Sequence, residues 1–387
     1  MSDDTIYWLI KALIILSVFG ITLLIATYST LAERKVAGFL QDRHGPDRAG
    51  PYGIWQPFAD AVKMFFKEEF IPSQANKWLF IVGPCLAMIT ALMASAVIPF
   101  GHSFRVPGLE KEIMVQGIEI NIGILYIFGV VSLGVYGLMI GGWASNNKFS
   151  LLGAIRAASQ NISYELAMGL SIIALLMLAG SLSLREIVNQ QHGFNWNIWY
   201  QPLGFVIFLI CAFAECNRTP FDLPECETEL IGGYHTEYSS MKLGFYLFAE
   251  FINMFISSAV MATLYFGGFN YPGMDAVYQA LTGALGAVAG HNLATAIGIA
   301  MLFAKALFGV FFFMWVRWTL PRFRYDQLMN LGWKGLIPLA MANIVITGIG
   351  ILWDIPYLNA VFVGGVVLLF IIQGTTAPKR QPRTQKT

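Results

Sequence analysis

The feature that most constrains this chain is a series of apolar runs, each close to the 20 or so residues that a helix needs to cross a bilayer. Nine such runs lie at 6–30, 78–99, 120–141, 162–180, 200–216, 243–266, 293–318, 335–353 and 357–373. They lack strict alternation and exceed the roughly ten-residue strands of an outer-membrane barrel, so helices must satisfy their backbone groups in lipid. The sequence therefore predicts an all-α, polytopic transmembrane helical bundle with about nine spans.

Composition and charge agree with a single membrane domain. Only 12% of the residues are charged, against about 25% in an ordinary soluble domain, and we expect one transmembrane domain over 1–375 followed by a basic tail over 376–387. The first run is expected to be retained, because Asp3 and Asp4 stand where a cleaved signal peptide has basic residues. A formal net charge of +1 argues against nucleic acid as a partner.

Lysine and arginine are distributed unevenly between the two sets of connecting segments. Nineteen of them fall in the segments on one side, including the tail, whereas Arg105, Lys111 and Arg185 are the three on the other. The positive-inside rule then places the N-terminus in the periplasm and the tail in the cytoplasm. Two longer outer stretches, 101–119 and 267–292, are given no function.

The sequence lacks the patterns typical of a bound redox group. Its five histidines fall in loops or at the ends of apolar runs, whereas haem held within a bundle needs inward-facing ligands. Cys211, Cys216 and Cys226 lack the tight C-x-x-C spacing of cluster motifs. We expect no catalytic residue, no metal and no covalent cofactor in this chain, so that a partner would carry any electrons.

The segment 54–69 is predicted to be an amphipathic helix at the membrane surface. Its apolar residues recur at helical spacing, and polar residues occupy the other face. One interpretation is a membrane anchor in which Asp60 and Lys63 form a solvated pair. The other is that the helix covers a lateral opening for a lipid-soluble substrate.

An acidic loop is predicted over about 215–240. Six carboxylates and one guanidinium fall within it: Glu215, Arg218, Asp222, Glu225, Glu227, Glu229 and Glu237. Carboxylates this close should raise one another's pKa and titrate as a coupled set that can hold and pass protons. The alternative is a water-exposed loop with no such role.

Charged residues also interrupt the apolar runs. Glu165, Glu250 and Lys305 would each cost roughly 2.5–3.5 kcal/mol if they faced lipid. We expect them to face one another or water. They would then form either a structural ion pair or part of a hydrated line that reaches mid-membrane from the side of the acidic loop.

Four segments, in order, closely resemble the H-subunit family of respiratory NADH:quinone oxidoreductase, or complex I, of the bacterial type. They contain the runs AERKVAGFLQDRHGPDRAGPYGIWQPFADAVKMFFKE, RAASQNISYELAMG, AECNRTPFDLPECETELIGGYHTEYSSMKLGFYLFAEF and WVRWTLPRFRYDQLMNLGWK. The resemblance implies a non-redox subunit of an H+-translocating enzyme in the bacterial inner membrane. Its substrate would be quinone, and FMN and iron–sulfur clusters would lie in partner subunits of the peripheral arm. Small membrane subunits and lipids would be its other neighbours.

The resemblance also implies roles for particular residues. The quinone chamber would be formed by Arg34, Asp60, Phe66, Arg322, Arg324 and Asp326. A proton-conducting funnel would be formed by Glu165, Glu215, Glu225, Glu227, Glu229, Glu237 and Glu250. Arg218 and Asp222 would fix the acidic loop.

The chain departs from the family pattern at a few points, and two other hypotheses stay open. The 357–373 run and the tail exceed shorter members, 267–292 looks inserted, and Cys226 and Ser240 stand where small residues such as Ala and Gly are expected. One alternative is the membrane subunit of an energy-converting hydrogenase, which need not admit quinone. The other is a proton-coupled secondary transporter, which would act alone and use the intramembrane charges as ion sites.

Overall fold

The computed structural model describes residues 3–107, 111–224, 231–355 and 357–365. Two short strands, β1 (Ser103–Phe104) and β2 (Ile113–Met114), pair antiparallel with Ser103 opposite Met114. The helices are α1 (Asp3–Leu40), α2 (Gln56–Phe66), α3 (Lys77–Ser95), α4 (Gly123–Ala144), α5 (Lys148–Ala179), α6 (Leu184–Gln190), α7 (Asn197–Tyr200), α8 (Pro202–Glu215), α9 (Ser240–Tyr265), α10 (Met274–Leu285), α11 (Ala287–Thr319), α12 (Tyr325–Asn330), α13 (Ile337–Leu352) and α14 (358–365).

Seven helical stretches in the described ranges are long and apolar enough to cross a membrane. They are α1, α3, α4, α5, α9, α11 and the continuous stretch from α12 to α13. The last is continuous because a π-helical segment, Leu331–Leu336, joins α12 to α13. The predicted all-α membrane bundle is confirmed.

The predicted count of about nine spans is only approximate, for two reasons. The run at 200–216 forms α8, which has 14 residues, because the backbone of Gln201 turns out of helical geometry between α7 and α8 (φ −130°, ψ 53°). Of the run at 357–373, only 357–365 is described, and α14 occupies most of it. The remainder and the tail at 376–387 lie outside the described residues.

Helix α1 extends well beyond the predicted span at 6–30. With 38 residues, it is about 57 Å long at 1.5 Å per residue, against a hydrocarbon layer of about 30 Å. It is therefore longer than the hydrocarbon layer is thick, and its last turns still pack inward, since Glu33 and Ala37 are buried. Glu33 and Arg34 lie on this helix and not in the loop that follows it.

The connecting segments gather at two ends of the bundle. The charged end comprises 41–76, 145–147, 216–224, 231–239 and 320–324, and the hairpin end comprises 96–107, 111–122, 180–201 and 266–286. An ion pair between Lys111 and Asp4 (3.2 Å) places the start of α1 at the hairpin end. Helix α9 is central, and most of its residues from Ile252 to Tyr265 are buried. The predicted site residues that the structure describes therefore lie at the charged end or inside the adjoining part of the bundle.

Candidate functional site

A cavity of about 350 Å³ opens at the charged end, between α1, α2, α9 and the last turn of α11. Leu247, Phe248 and Phe251 of α9 give it an apolar wall. Charged side chains also line it, namely Glu33, Arg34, Arg43, Asp60, Arg218, Glu250 and Arg317. The cavity can therefore hold a molecule with a polar head and an apolar body.

Helix α2 forms one wall of this cavity and lies within the predicted segment 54–69. Pro57 fits the first turn of the helix, where no intrahelical N–H bond is lost, and the extended backbone of Lys67 ends it. Ala61 and Met64 face the cavity. On the other face the side chains are exposed, with Phe65 at 70% and Phe66 at 88%. The structure thus places Phe66 on the outside of the helix and not among the cavity residues.

A buried ion-pair network forms the inner wall. The Arg218 guanidinium donates to Glu33 Oε2 (2.9 Å), and the two side chains are only 4% and 9% exposed. Arg317 of α11 donates to the other oxygen of Glu33. Arg218 also lies over the ring of Phe251, with 4.3 Å between the guanidinium carbon and the ring centroid. This network ties α1 and α11 to the segment that follows α8.

A second ion pair connects α1 and α2 at the mouth of the cavity. Arg34 Nη1 lies 2.6 Å from Asp60 Oδ2, and the side chains are 51% and 24% exposed. Lys63 is a looser partner at 3.9 Å from Asp60 Oδ1. Two of the predicted chamber residues are therefore in direct contact.

The predicted residues of the PRFRYDQLM run lie beside the cavity and not in its lining. Arg322 donates to Asp222 Oδ2 (2.9 Å), which connects the segment after α11 to the acidic loop. Arg324 pairs with its neighbour Asp326 at the exposed start of α12. The Arg322–Asp222 pair thus joins two segments of the charged end, whereas the Arg324–Asp326 pair is local to the start of α12.

A second, smaller cavity lies inside the bundle, among α3, α4, α5 and α9. It has a volume of about 40 Å³, and Glu250 borders both cavities while Glu215 borders the smaller one. Tyr234 donates its hydroxyl to Glu250 Oε1 (3.0 Å). The side-chain oxygen of Asn161 is buried at this cavity without a hydrogen-bond partner among the described residues. A cavity that exceeds about 10–15 Å³ and offers two to four polar partners can hold water.

Glu165 lies farther along the interior. Ser132 of α4 donates to its carboxylate, and the side chain borders a groove of about 440 Å³ on the outside of the bundle. A mainly apolar cavity of about 30 Å³ adjoins Glu215 on this side, and Phe128 lines both it and the groove. Glu165 and Glu215 are near enough for their charges to interact.

The other predicted funnel residues are placed differently. Glu237 accepts a hydrogen bond from Asn147 (2.6 Å) and lines an open groove on the surface of the charged end. Glu225, Glu227 and Glu229 lie outside the described residues.

The prediction that Lys305 faces a carboxylate or water is wrong. Its ammonium group donates to the backbone oxygens of Phe266 (2.7 Å), Gly268 (2.8 Å) and Asn270 (2.6 Å). These oxygens follow the C-terminus of α9, where unpaired carbonyl groups favour a cation. Lys305 therefore closes the hairpin end of α9 and is separate from the acidic line.

Several residues of the two cavities were not among the predicted site residues, including Glu33, Arg43, Arg317 and Tyr234. No individual role was predicted for the three charged ones, and Tyr234 has no charge to attract attention. Their role depends on contacts between distant segments. The one signal in the sequence was the position of Glu33 at the end of an apolar run.

The chain is similar to known proteins over most of its length. The profile of a family described as NADH dehydrogenase matches residues 11–348. A Flavobacterium johnsoniae protein named as the H subunit of NADH-quinone oxidoreductase is 63% identical over 342 residues, which is 88% of this chain and 95% of the relative. A Cytophaga hutchinsonii protein, named as H subunit 1 of NADH-quinone oxidoreductase, is 64% identical over 342 residues, 88% of this chain and 96% of the relative. Rhodothermus marinus NADH-quinone oxidoreductase subunit 8 is 43% identical over 353 residues, 90% of this chain and 98% of the relative.

Proposed function

Because this chain belongs to the NADH dehydrogenase family, as a membrane subunit of the NADH-quinone oxidoreductase complex, we propose that its charged cavity admits quinone and that its buried carboxylates relay protons. The relatives favour this hypothesis over the hydrogenase subunit and the transporter. We place the FMN and iron–sulfur clusters in partner subunits and the chain in the bacterial inner membrane. The residues of this chain supply position and electrostatics.

The cavity of about 350 Å³ carries the quinone part of the proposal. Its volume falls within the range of about 300–1,000 Å³ that is usual for small-molecule sites. The apolar wall formed by Leu247, Phe248 and Phe251 suits a quinone ring and its tail. The guanidinium groups of Arg34 and Arg218 can donate to the two carbonyl oxygens.

A lateral path suits a substrate that is dissolved in the membrane. The outer face of α2 is apolar and exposed, with Val62 54% and Phe65 70% accessible, so that it can rest in the interface. The Arg34–Asp60 pair joins α1 to α2 at this point. A partly exposed pair contributes only about 0–1 kcal/mol, so it can open at little cost while a quinone tail passes.

The proton part of the proposal rests on the two cavities that share Glu250. Reduction of quinone adds negative charge in a medium of low dielectric constant, and this charge must be met by protons or by changes in nearby carboxylates. Glu250 borders the quinone cavity, receives a hydrogen bond from Tyr234 and shares the smaller cavity with Glu215. Water in that cavity would complete a relay from Glu250 to Glu215.

The relay would continue beyond this chain. A carboxylate that faces lipid is costly, and the groove at Glu165 lies between the exposed side chains of Ile162 and Leu166. We propose that a small membrane subunit of the complex covers this groove and receives protons there. Family resemblance also assigns Glu225, Glu227, Glu229 and Glu237 to the funnel, and Phe66, Arg322, Arg324 and Asp326 to the chamber.

The quinone proposal can be tested by filling the cavity from helix α2. Ala61→Trp places a large side chain in the cavity, so we expect the KM for a long-tailed quinone to rise by about tenfold or more, since one or two lost apolar contacts are worth about 1–3 kcal/mol. A short-tailed quinone should be affected less. The assay is NADH:quinone reductase activity of membranes that contain the assembled complex.

Val62→Trp is the matched control, because Val62 is the next residue of α2 and lies on the exposed face. It should leave both KM values near those of the unsubstituted enzyme. Equal effects of the two substitutions on both quinones would contradict the assignment of this cavity to quinone.

A further inference from the structure

Three side chains of metal-ligating type meet at the hairpin end, away from the cavities described above. His102 and Glu112 belong to the β1–β2 hairpin and its flanks, and His291 lies in the first turns of α11. One ligand atom from each lies within 4.8 Å of the other two. His291 is buried, and the other two are partly exposed. We propose that these three residues bind a divalent first-row metal ion of the Zn²⁺ type.

The donor set fits such an ion. Two imidazoles and one carboxylate form the three-ligand set of many zinc sites in which a fourth position stays open to water. The same set also suits other first-row divalent ions. This donor set does not suit the hard ions Mg²⁺ and Ca²⁺, because both prefer ligands that are all oxygen.

The donor atoms already converge on one point. The hydroxyl oxygen of Ser103 lies 3.0 Å from His102 Nδ1, 2.7 Å from Glu112 Oε2 and 3.1 Å from His291 Nε2. Zinc–ligand distances are about 2.0–2.2 Å. A metal ion in place of this hydroxyl would therefore need the ligands to move inward by about 1 Å, and the Ser103 side chain could rotate away or serve as the fourth ligand.

The scaffold that presents the donors is held by other groups. Asn292 forms two hydrogen bonds with the backbone of Arg105, both of 2.8 Å. Thr295 donates to the backbone oxygen of Ser103 (2.8 Å). These bonds join the hairpin to α11 without using a proposed ligand. These bonds hold the three donors close together, which lowers the cost of binding.

Neighbouring groups contact the outer atoms of two of the proposed ligands. Arg105 Nη2 pairs with Glu112 Oε1 (2.6 Å), so the other carboxylate oxygen, Oε2, remains for the ion. His291 Nε2 lies 2.9 Å from the backbone oxygen of Ser103 and therefore carries the proton in this structure. Metal binding would break this hydrogen bond and move the proton to Nδ1, which lies 3.4 Å from the hydroxyl of Tyr278. Tyr278 belongs to α10, so the stretch 267–292, which had no assigned function, would contribute to the site.

Two cations lie beside the proposed ligands. Arg105 pairs with Glu112, and Arg185 donates to the backbone oxygen of His102 (3.1 Å). Both repel a metal ion, so we expect weaker binding than in a closed structural site.

The test measures Zn²⁺ binding by the full chain in lipid nanodiscs after treatment with EDTA. Zn²⁺ is titrated against a chromophoric indicator, and we expect one ion per chain. The substitutions His102→Ala, Glu112→Gln and His291→Gln should each weaken binding by at least about tenfold, because even the loss of an outer partner costs about 10–100-fold in affinity. His192→Ala is the control, since His192 is exposed at the same end, and it should bind like the unsubstituted chain.

Two further measurements separate a site from misfolding. Co²⁺ should give visible absorption bands with the unsubstituted chain and with His192→Ala, and these bands should be lost in the ligand variants. Zn²⁺ should raise the melting temperature of the unsubstituted chain and of His192→Ala only. Without metal, the helical circular dichroism of all variants should stay the same. If the unsubstituted chain binds no Zn²⁺, or if folded ligand variants bind it equally well, the proposal is overturned.

Discussion

At the scale of single residues, burial separates two ion pairs that border the same cavity. The side chains of Glu33 and Arg218 are 9% and 4% exposed, and removal of one partner from a buried pair typically costs about 3–5 kcal/mol. Arg34 and Asp60 are 51% and 24% exposed, and such a pair contributes about 0–1 kcal/mol. The first pair is therefore a fixed part of the wall, and the second is the part that can open.

A prediction at this scale concerns the hydroxyl of Tyr234. Tyr234→Phe removes the hydrogen bond to Glu250 but keeps the ring that packs edge-on against Tyr246 at 5.2 Å. We expect proton translocation in inverted vesicles to slow by about tenfold or more, since positioned proton-transfer groups contribute about 100-fold or more to their step. Quinone KM should change little, because Tyr234 is not part of the larger cavity.

The control for this substitution is Tyr271→Phe at the hairpin end. The Tyr271 hydroxyl is buried and has no hydrogen-bond partner among the described residues. The control therefore also removes a tyrosine hydroxyl, but at a position outside the relay. Proton-to-electron ratios are compared at equal NADH oxidation. Unchanged pumping in Tyr234→Phe would count against the relay through Glu250.

Sequence alone predicts single residues only where their local context is unusual. Arg34 and Asp60 could be predicted together because the segments around them resemble those of the H-subunit family, and they are in direct contact in the structure. The pairing of Glu33 with Arg218 and Arg317 could not be predicted, because it joins positions 185 and 284 residues apart.

Ser240 shows a further limit of prediction from sequence. It has a positive φ of 57°, which explains why glycine would suit this place, and its hydroxyl bonds to the backbone oxygens of Met64 (2.9 Å) and Lys67 (3.0 Å).

At the scale of elements, helices α3, α4 and α9 approach one another through glycine. A Cβ on Gly141 of α4 would lie 1.9 Å from the Tyr246 hydroxyl and 2.9 Å from that of Tyr238. Tyr246 also donates to the backbone oxygen of Gly137 (3.1 Å). The close contact of α4 with α9 thus depends on the missing side chain.

We therefore expect Gly141→Ala to destabilise the bundle by about 1–3 kcal/mol, which is the usual cost of overpacking. The expected result is a lower melting temperature of the full chain in detergent, because Tyr246 must move and lose its hydrogen bond. The change also displaces the tyrosine against which Tyr234 packs.

Gly129→Ala is the matched control, on the same helix. A Cβ there would have no neighbour within 4 Å. The main effect is then the higher helix propensity of alanine, which stabilises the helix by up to about 1 kcal/mol. Its melting temperature should be unchanged or higher. Equal destabilisation by both substitutions would show that loss of glycine itself matters and that contact with Tyr246 does not.

At the scale of the whole molecule, the outer surface matches a bilayer with two boundaries. Exposed aromatic side chains stand at both ends, with Phe194 (72%) and Trp353 (72%) at the hairpin end and Trp55 (58%) and Trp78 (81%) at the charged end. Aromatic residues favour the membrane interface. The spans themselves could be predicted, because lipid demands apolar runs of fixed length. The break before α8 and the π-helical segment could not, because local backbone geometry decides both.

The last prediction concerns which end faces the cytoplasm. The bias of lysine and arginine favours the charged end, and a membrane-impermeant maleimide can test this with two single-cysteine additions. His192→Cys lies at the hairpin end and Ser73→Cys at the charged end, and both positions are exposed. We expect His192→Cys to react in intact spheroplasts and Ser73→Cys to react only in inverted vesicles stripped of peripheral subunits. The unsubstituted chain, with its four native cysteines, gives the background that is subtracted on each side. The reverse labelling pattern would place the quinone cavity on the periplasmic side, where the NADH-oxidising partners could not reach it, and would contradict the proposed function together with the orientation.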